Sequence, residues 1–561
     1  MSDYIWKLYD RKETDLISHL CRIRAIDPKA LEPDFTEHLH NPNLLPDMAI
    51  ARALLREAVE KKWSVTIFGD YDADGTPAAA VLAMTCERLG LTHQVILPTR
   101  KTGYGINMET IEGIKDSCQL LITVDTGITA IEEVALAKKY AIKVIIIDHH
   151  LPKSIIPNAD AVIDPFVPSS KYPFKYLCGC ALAYKLVVAL QEDFPQQITV
   201  GFSKWLLDLV AISTVADMMP IVGENRVLVH YGLKVLAKTR WPGLTELMRQ
   251  ADIRPDQLSS QTLGYVIGPR LNASGRLLDN RPAYQLLVSK SINEASAFAR
   301  EIETANYERR ELVKNVLANV EKQLWKQNKS SDHLIVIAGN NWPSGVLGLV
   351  AGKIVGLTNR PAIVLSITDQ GVAGSARSID SYSLIDALER SSNHLKRFGG
   401  HTLAAGIALD KKNLSKFVDS IKKDAQEKIS ADQLRPTITI DAEIGDHELN
   451  YKTTSVFDLL APFGQGNPLP IVLKSSMSVS SPRKIGSAGN HLKAFVKSGD
   501  SQIDMIGFGL AEKYFNNPLS TIDIVGHLEE NIWNGRKSLQ IKLKDFRPAG
   551  SGVDEVLSLP L

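Results

Sequence analysis

Between residues 64 and 150 the chain repeats one pattern: a short run rich in Val and Ile, a polar turn, then a helix-like stretch. The runs are "SVTIFG", "HQVILP", "LLITVD" and "KVIIID"; the stretches between them include "TPAAAVLAMTCERLG" and "AIEEVALAKKY". Apolar runs of this kind read as strands covered on both faces. Their alternation with helices predicts βαβ units and a parallel sheet, extending to about residue 240. In such sheets ligands bind outside the carboxyl ends of the strands. The residues that follow each run therefore carry the most information.

Those residues are acids. "TIFGDYDADGT" supplies Asp70, Asp72 and Asp74, "LLITVDTG" supplies Asp125, and "KVIIIDHH" supplies Asp148, His149 and His150. "LDLVAISTVADMMP" adds Asp217, a fourth acidic cluster read as a strand end. A single acid in such a place is an ordinary cap or turn former. Four together are not, because a parallel sheet converges the first three on one edge. Like charges brought that close raise one another's pKa, and divalent cations remove the conflict. If "DYDAD" is extended, its three acids share one side. Carboxylates with an imidazole suit Mn²⁺ or Mg²⁺, and two such ions about 4 Å apart activate water and clamp a phosphoryl group.

"DYDADG", "VDTG", "DHH" and "VADMMP", in this order, resemble the four motifs of the DHH phosphoesterase superfamily, and within it the RecJ single-strand-specific exonucleases. The resemblance covers nearly the whole chain. "GYVIGPRLNASGRL", "GSARS" and "RFGGHTLAAG" look like later segments of that family, and "LAPFGQGNPLP" like its approach to an OB-fold. It implies a parallel-sheet phosphoesterase domain, a long helix, a smaller α/β DHH-associated domain and a C-terminal OB-fold barrel. By resemblance Asp74, Asp125, His149 and Asp217 hold one metal ion, with Asp125 bridging. Asp72, helped by Asp70, holds a second. Relatives place a histidine four residues before the first acid of the DxD pair, where this chain has Phe68, so the second ion has one ligand fewer. His150 then faces the scissile phosphate and Asp148 orients an imidazole. Arg100 and Tyr104 shape a 5′-end pocket, Arg270, Asn272 and Arg276 offer donors to phosphate, and Ser375, Arg377 and His401 contact the terminal or substrate phosphate. The implied reaction is in-line phosphodiester hydrolysis releasing mononucleotides 5′ to 3′ from single-stranded DNA, in recombination and repair. A cleft between the two α/β domains is expected to admit one strand.

The rest of the chain is consistent with this. Its 561 residues exceed one core, and domains of about 100–200 residues give three or four units. The expected divisions are an N-terminal segment 1–45, the phosphoesterase domain 46–290, a connecting helix 291–330, the associated domain 331–450, the OB-fold 451–548 and a tail 549–561. Residues 293–327 place Phe298, Ile302, Ala305, Leu312, Val316, Val320 and Leu324 on one helical stripe. Five β-prone runs after residue 470 suggest a small barrel. Residues 471–548 hold eleven Lys/Arg against seven Asp/Glu, interleaved with Phe495, Phe508, Tyr514, Phe515 and Trp533, which suits a single strand. The whole chain carries only +1, so any polyanion site is local.

Five scattered cysteines argue against a disulfide framework, and "CGC" at 178–180 reads as inert thiols at a helix start. No apolar run of about 18 residues and no signal-like N-terminus is present, so the expectation is a cytoplasmic monomer with no membrane partner. A single-strand-binding protein or a helicase is the kind of protein partner that fits. Three other readings compete: a manganese pyrophosphatase, an oligonucleotide or cyclic-dinucleotide phosphodiesterase, and a non-catalytic replication scaffold. The first two do not need the basic β-rich tail; the third should have lost its ligands.

Overall fold

The computed structural model describes residues 4–28, 31–99, 105–277, 280–326, 332–499, 501–533 and 536–558. The chain divides into two compact units. One takes Lys29–Glu308 and Leu460–Pro468; the other takes Met1–Pro28, Arg309–Leu459 and Leu469–Leu561.

The first unit is built on five parallel strands: β1 (Val65–Gly69), β2 (His93–Ile96), β3 (Leu120–Val124), β4 (Lys143–Ile147) and β5 (Ala161–Ile163), in the order β2-β1-β3-β4-β5. β1 and β3 are buried along their whole length, as their unbroken apolar composition requires. Helix α1 (Gly75–Arg88) follows β1 directly and is buried from Gly75 to Cys86. A helix apolar all round is an interior helix. It packs against α2 (Gly179–Leu190), which is equally enclosed. α3 (Leu207–Ala216) and α4 (Gly223–Leu236) complete this core and pack on each other.

One expectation is corrected here. The apolar segment before Asp217 is the helix α3, not a strand. Its residues from Leu207 to Thr214 are all buried, so no period of 3.6 survives in the sequence to separate helix from strand. Asp217 reaches the site from a helix end.

The long charged segment is α5 (Ile292–Lys326), about 52 Å at 1.5 Å per residue. Ala295, Ala299 and Ile302 enter the core of the first unit, and Val313, Val316, Val320 and Leu324 enter a core of the second. The Pro/Gly-rich "LAPFGQGNPLP" is not a free boundary. Gln465 accepts the Ile221 N–H at 2.7 Å, and Phe463 accepts the Ser260 hydroxyl.

In the second unit β6 (Ile335–Asn340), β7 (Ala362–Thr368), β8 (Gly371–Arg377), β9 (Arg397–Gly400) and β10 (Ala404–Leu409) form a mixed sheet, ordered β9-β10-β8-β7-β6. Helix α6 (Ser344–Thr358) packs on β7 and β8. A barrel follows, from β11 (Val472–Ile485), β12 (His491–Ser498), β13 (Ser501–Gly507), β14 (Thr521–Trp533) and β15 (Arg536–Pro548). β11 pairs with both β12 and β14, which closes it. Strand Ile5–Tyr9 pairs in parallel with Thr437–Ile440 and with Glu555–Leu557. Trp6 is fully buried there, and its Nε1 donates to Asp545 at 2.9 Å. No helix among the described residues is long and apolar enough to cross a membrane.

Candidate functional site

Four of the strand-end and helix-end clusters meet at the carboxyl edge of the first unit's sheet. His149 Nε2 lies 3.0 Å from Asp125 Oδ1, 3.6 Å from Asp217 Oδ2 and 3.7 Å from Asp74 Oδ2. Asp74, His149 and Asp217 form one group able to hold a cation, Asp70, Asp72 and Asp125 form a second, and Asp125 with His149 and His150 forms a third that shares a residue with each. Two adjacent groups of this composition suit a pair of oxygen-loving divalent ions.

The route by which "DYDADG" supplies both groups differs from the extended segment expected. The stretch turns after Asp70, and Asp72 Oδ1 accepts the N–H groups of Asp74 (2.9 Å) and Gly75 (3.0 Å) as α1 begins. The three acids therefore divide between the two groups. Asp125 takes a left-handed backbone (φ 60°) that brings it off the end of β3, a conformation acids tolerate better than most residues.

Burial raises the carboxyls of Asp70, Asp74, Asp125 and Asp217 above their usual range. The charge of Asp72 or Asp74 then pushes Asp70, Asp125 and Asp217 further. Asp70 Oδ1 is buried with no hydrogen-bond partner among the described residues. Enclosed carboxylates that protein donors leave unsatisfied are what a cation resolves, so the residues present fit divalent metal.

The adjacent histidines part company. His149 turns its Nε2 to the carboxylates, and burial holds its imidazole below the usual pKa despite Asp74. A neutral imidazole is the ligating form. His150 Nδ1 is bound to Asp148 Oδ1 at 2.7 Å, and its ring is about one-third exposed. Burial pulls His150 down, but the hydrogen bond and charge of Asp148, with Asp217 and Asp70, outweigh it and raise it to about 9. Asp148 also accepts the Ile128 N–H at 2.9 Å. Burial pushes its carboxyl up, yet His150 and these bonds keep it below its ordinary value.

Sequence reasoning missed the groups that hold this cluster. Gly179 and Cys180 donate their backbone N–H groups to Asp74 at 2.6 and 2.9 Å, where α2 starts. A Cβ on residue 179 would fall 2.7 Å from Asp125 Cβ, so only glycine fits. "CGC" thus matters for its backbone; all five cysteines are buried thiols outside any disulfide, and burial keeps those of Cys178 and Cys180 well above their usual pKa. Asn280, fully buried, donates to Thr76 Oγ1 at 2.8 Å and steadies the start of α1. Asp164 ends β5, beside Asp148, on a strand of three residues, too short to read by pattern.

The remaining expected residues fall in different settings. Asn272 Oδ1 accepts the Ala73 N–H at 2.9 Å and buttresses the metal loop. Arg270 forks onto Glu303, with its Nε at 2.6 Å, and Arg276 lies on the next short helix, half-buried. Arg100 and Tyr104 lie outside the described residues. Ser375, Arg377 and His401 belong to the second unit. Arg377, on β8, has no ion-pair partner among the described residues, and burial lowers its guanidinium below its usual pKa. Its Nη2 would lie 3.1 Å from a Cβ on Gly348 of α6, so that glycine makes the room it occupies. His401 is exposed beyond β9.

Comparison with known proteins gives three family models in order along the chain. The DHH family N-terminal domain matches residues 64–214, the DHHA1 domain 331–427 and the RecJ OB domain 440–545. The single-stranded-DNA-specific exonuclease RecJ of Haemophilus influenzae is 31% identical, over 95% of this chain and 96% of its own. The corresponding protein of Bacillus subtilis is 35% identical over 90% of this chain, which spans 64% of that relative's length. A crystal structure of RecJ in complex with Mn²⁺ from Thermus thermophilus superposes with a TM-score of 0.84 at 27% identity, covering 98% of this chain and 80% of that one. A second, with Mg²⁺, has a TM-score of 0.77 at 25% identity. With those domains in that order and a relative matched from end to end, the chain belongs to the RecJ family of DHH phosphoesterases.

Proposed function

We propose that this chain is a single-stranded-DNA-specific exonuclease that hydrolyses phosphodiester bonds with divalent metal, proceeds 5′ to 3′ and releases mononucleotides. The observation that carries this reading is His149 Nε2 standing within 3.7 Å of carboxylates from three separate elements, Asp74, Asp125 and Asp217. Asp74, Asp125, His149 and Asp217 would hold one ion, and Asp70, Asp72 and Asp125 the other. Bound there, Mn²⁺ or Mg²⁺ supplies a water of lowered pKa and neutralises charge on the phosphoryl oxygens.

The chain's own residues do the rest. Asp148 fixes the ring of His150, which is suited to donate to a phosphate oxygen. Arg377, a guanidinium with no ion-pair partner among the described residues, is suited to a terminal phosphate, with Ser375 two residues before it on β8 and His401 as a further contact. The barrel supports the choice of single strands. Phe508 is 54% exposed with Lys542 Nζ 5.7 Å from its ring centre, and Phe515 carries Lys484 at 5.4 Å. An exposed ring under a cation, as at Phe508, is a platform for an unpaired base; Phe515 is half-buried. Tyr514, by contrast, is barrel core. This activity belongs to recombination and repair in the cytoplasm, with a single-strand-binding protein or helicase as partner and the chain acting as a monomer.

The test is one nuclease assay. Single strands labelled at the 5′ or the 3′ end, and the same sequence as duplex, are incubated with Mn²⁺, Mg²⁺ or chelator. Labelled mononucleotide should leave the 5′ end first, from single strands only, and only with metal. First release from the 3′ end rejects the polarity, and full rates in chelator reject the metal centre. A lane with a dinucleotide separates exonuclease from oligonucleotide phosphodiesterase.

A further inference from the structure

The rim of the metal centre carries two exposed apolar side chains that the metal ligands do not explain. Met218 directly follows Asp217, is 67% exposed and has a left-handed backbone (φ 59°). Tyr176 is 53% exposed and stands three residues before Gly179. Three residues span at most about 11 Å, and Gly179 touches Asp125, so Tyr176 starts within that reach of the carboxylates.

The two segments are clasped together. Asn225, fully buried on α4, donates its Nδ2 to the carbonyl oxygens of both Tyr176 (2.6 Å) and Pro220 (3.0 Å). The Tyr176 ring is also fixed. Phe166 meets it edge-on with centroids 6.3 Å apart, and Phe174 does so at 5.8 Å. A large exposed aromatic normally gains by turning onto apolar surface; this one is braced by two rings and still presents half its area to water. Lys175, next to it, is exposed as well.

We propose that Tyr176, with Met218 on the segment clasped to its own, takes the nucleobase of the nucleotide whose phosphate is at the metal centre. An unpaired base offers a π-face of any sequence, and an aromatic ring plus a thioether are sequence-tolerant partners for it. A paired base cannot present that face without leaving its stack, so the same contact disfavours duplex. The platform holds the base while the carboxylates hold the phosphate, which fixes the scissile bond in both directions. This inference rests on the exonuclease reading and adds to it a residue that selects unpaired nucleotides.

The experiment compares the wild-type chain with Tyr176→Ala, Tyr176→Phe and Met218→Ala on 5′-phosphorylated single strands. The strands carry either normal bases or tetrahydrofuran abasic residues at the first two positions. On normal strands Tyr176→Ala should raise KM by about 5- to 100-fold with kcat little changed, Met218→Ala less so, and Tyr176→Phe should match wild type. On abasic strands wild type and Tyr176→Ala should be alike. A KM for Tyr176→Ala equal to wild type on normal strands overturns the proposal, as does an equal loss on abasic strands, which is the mark of a disturbed scaffold. Wild type alone also decides: its KM for normal and abasic strands must differ, and a ratio near one overturns the proposal. Fluorescence of 2-aminopurine at the 5′ nucleotide, read in Ca²⁺, separates the two readings. Quenching by wild type without any hydrolysis in Mn²⁺ would sink the exonuclease reading and leave the platform standing. Hydrolysis without quenching would do the reverse.

Discussion

Asp74 and Gly179 are joined by a 2.6 Å hydrogen bond in which the first N–H of α2 donates to Asp74 Oδ2. Cys180 supplies the second N–H at 2.9 Å. The helix start thus provides positive field and two fixed donors to a carboxylate that also stands 3.7 Å from His149. Its position is set by backbone donors.

Gly179→Ala should therefore damage the site without removing any proposed ligand. The new Cβ would meet Asp125 Cβ at 2.7 Å and must push either Asp125 or α2. A displacement of about 1 Å at such a site costs roughly a hundredfold in rate. The expected outcome is that loss in kcat/KM on single strands, with a far-ultraviolet circular dichroism spectrum like wild type. Wild-type kinetics in this variant would show that Asp125 is not held as described.

Asp74→Ala removes one ligand and the acceptor for both N–H groups. Hydrolysis should fall to background, while binding of single strands measured in chelator persists, because the barrel and Arg377 are untouched. Thermal melts check the metal assignment independently. At a hundredfold excess over its Kd, Mn²⁺ should stabilise the wild-type unit by about 2.7 kcal/mol. An equal Mn²⁺ effect in Asp74→Ala would reject Asp74 as a ligand.

How far the site was legible depended on how each element announces itself. β1, β3 and β4 were readable because strands buried on both faces leave unbroken apolar runs, and their terminal acids then fell together at one edge. Asp217 was readable as an acid but not as a helix end, since α3 is buried all round and its period is erased. Gly179 and Cys180 act through backbone N–H groups, which no residue type advertises. Strand Ile5–Tyr9 finds its partners at 437–440 and 555–557, pairings too remote for local pattern to reveal. Arg270 was legible as a donor, but its pairing with Glu303 on α5 was not, because local pattern does not show which remote acid a guanidinium meets.

Lys185 and Glu224 form a second kind of relationship, a buried ion pair between α2 and α4. Glu224 also accepts from Tyr172 Oη at 2.7 Å and from the His40 N–H at 2.8 Å, while Lys185 donates to the His40 carbonyl at 2.9 Å. Every member is satisfied, so removing one leaves the others desolvated and unpaired. Glu224→Ala should cost about 3–5 kcal/mol in urea unfolding, and Lys185→Met with Glu224→Leu together much less than either alone. Additive losses in the double variant would refute a coupled network.

Asp208 gives the pH dependence. It is fully buried on α3, and burial raises its carboxyl to about 7 despite hydrogen bonds from Thr239 Oγ1, the Leu209 N–H and Trp241 Nε1. In the unfolded chain it ionises near 4. Between these values the folded chain holds one proton more than the unfolded chain. The contribution of this group to stability therefore falls as pH rises, by about 1.4 kcal/mol per unit, and levels off above 7. Asp208→Asn keeps an acceptor for Leu209 and Trp241 and turns an amide donor toward Thr239, with no charge to bury. Relative to wild type it should gain stability steadily from pH 5 to pH 7 and hold that gain at pH 8. Chemical unfolding of both proteins at pH 5, 6, 7 and 8 measures the difference. A difference that stays constant across that range would mean that Asp208 is ionised in the folded chain throughout.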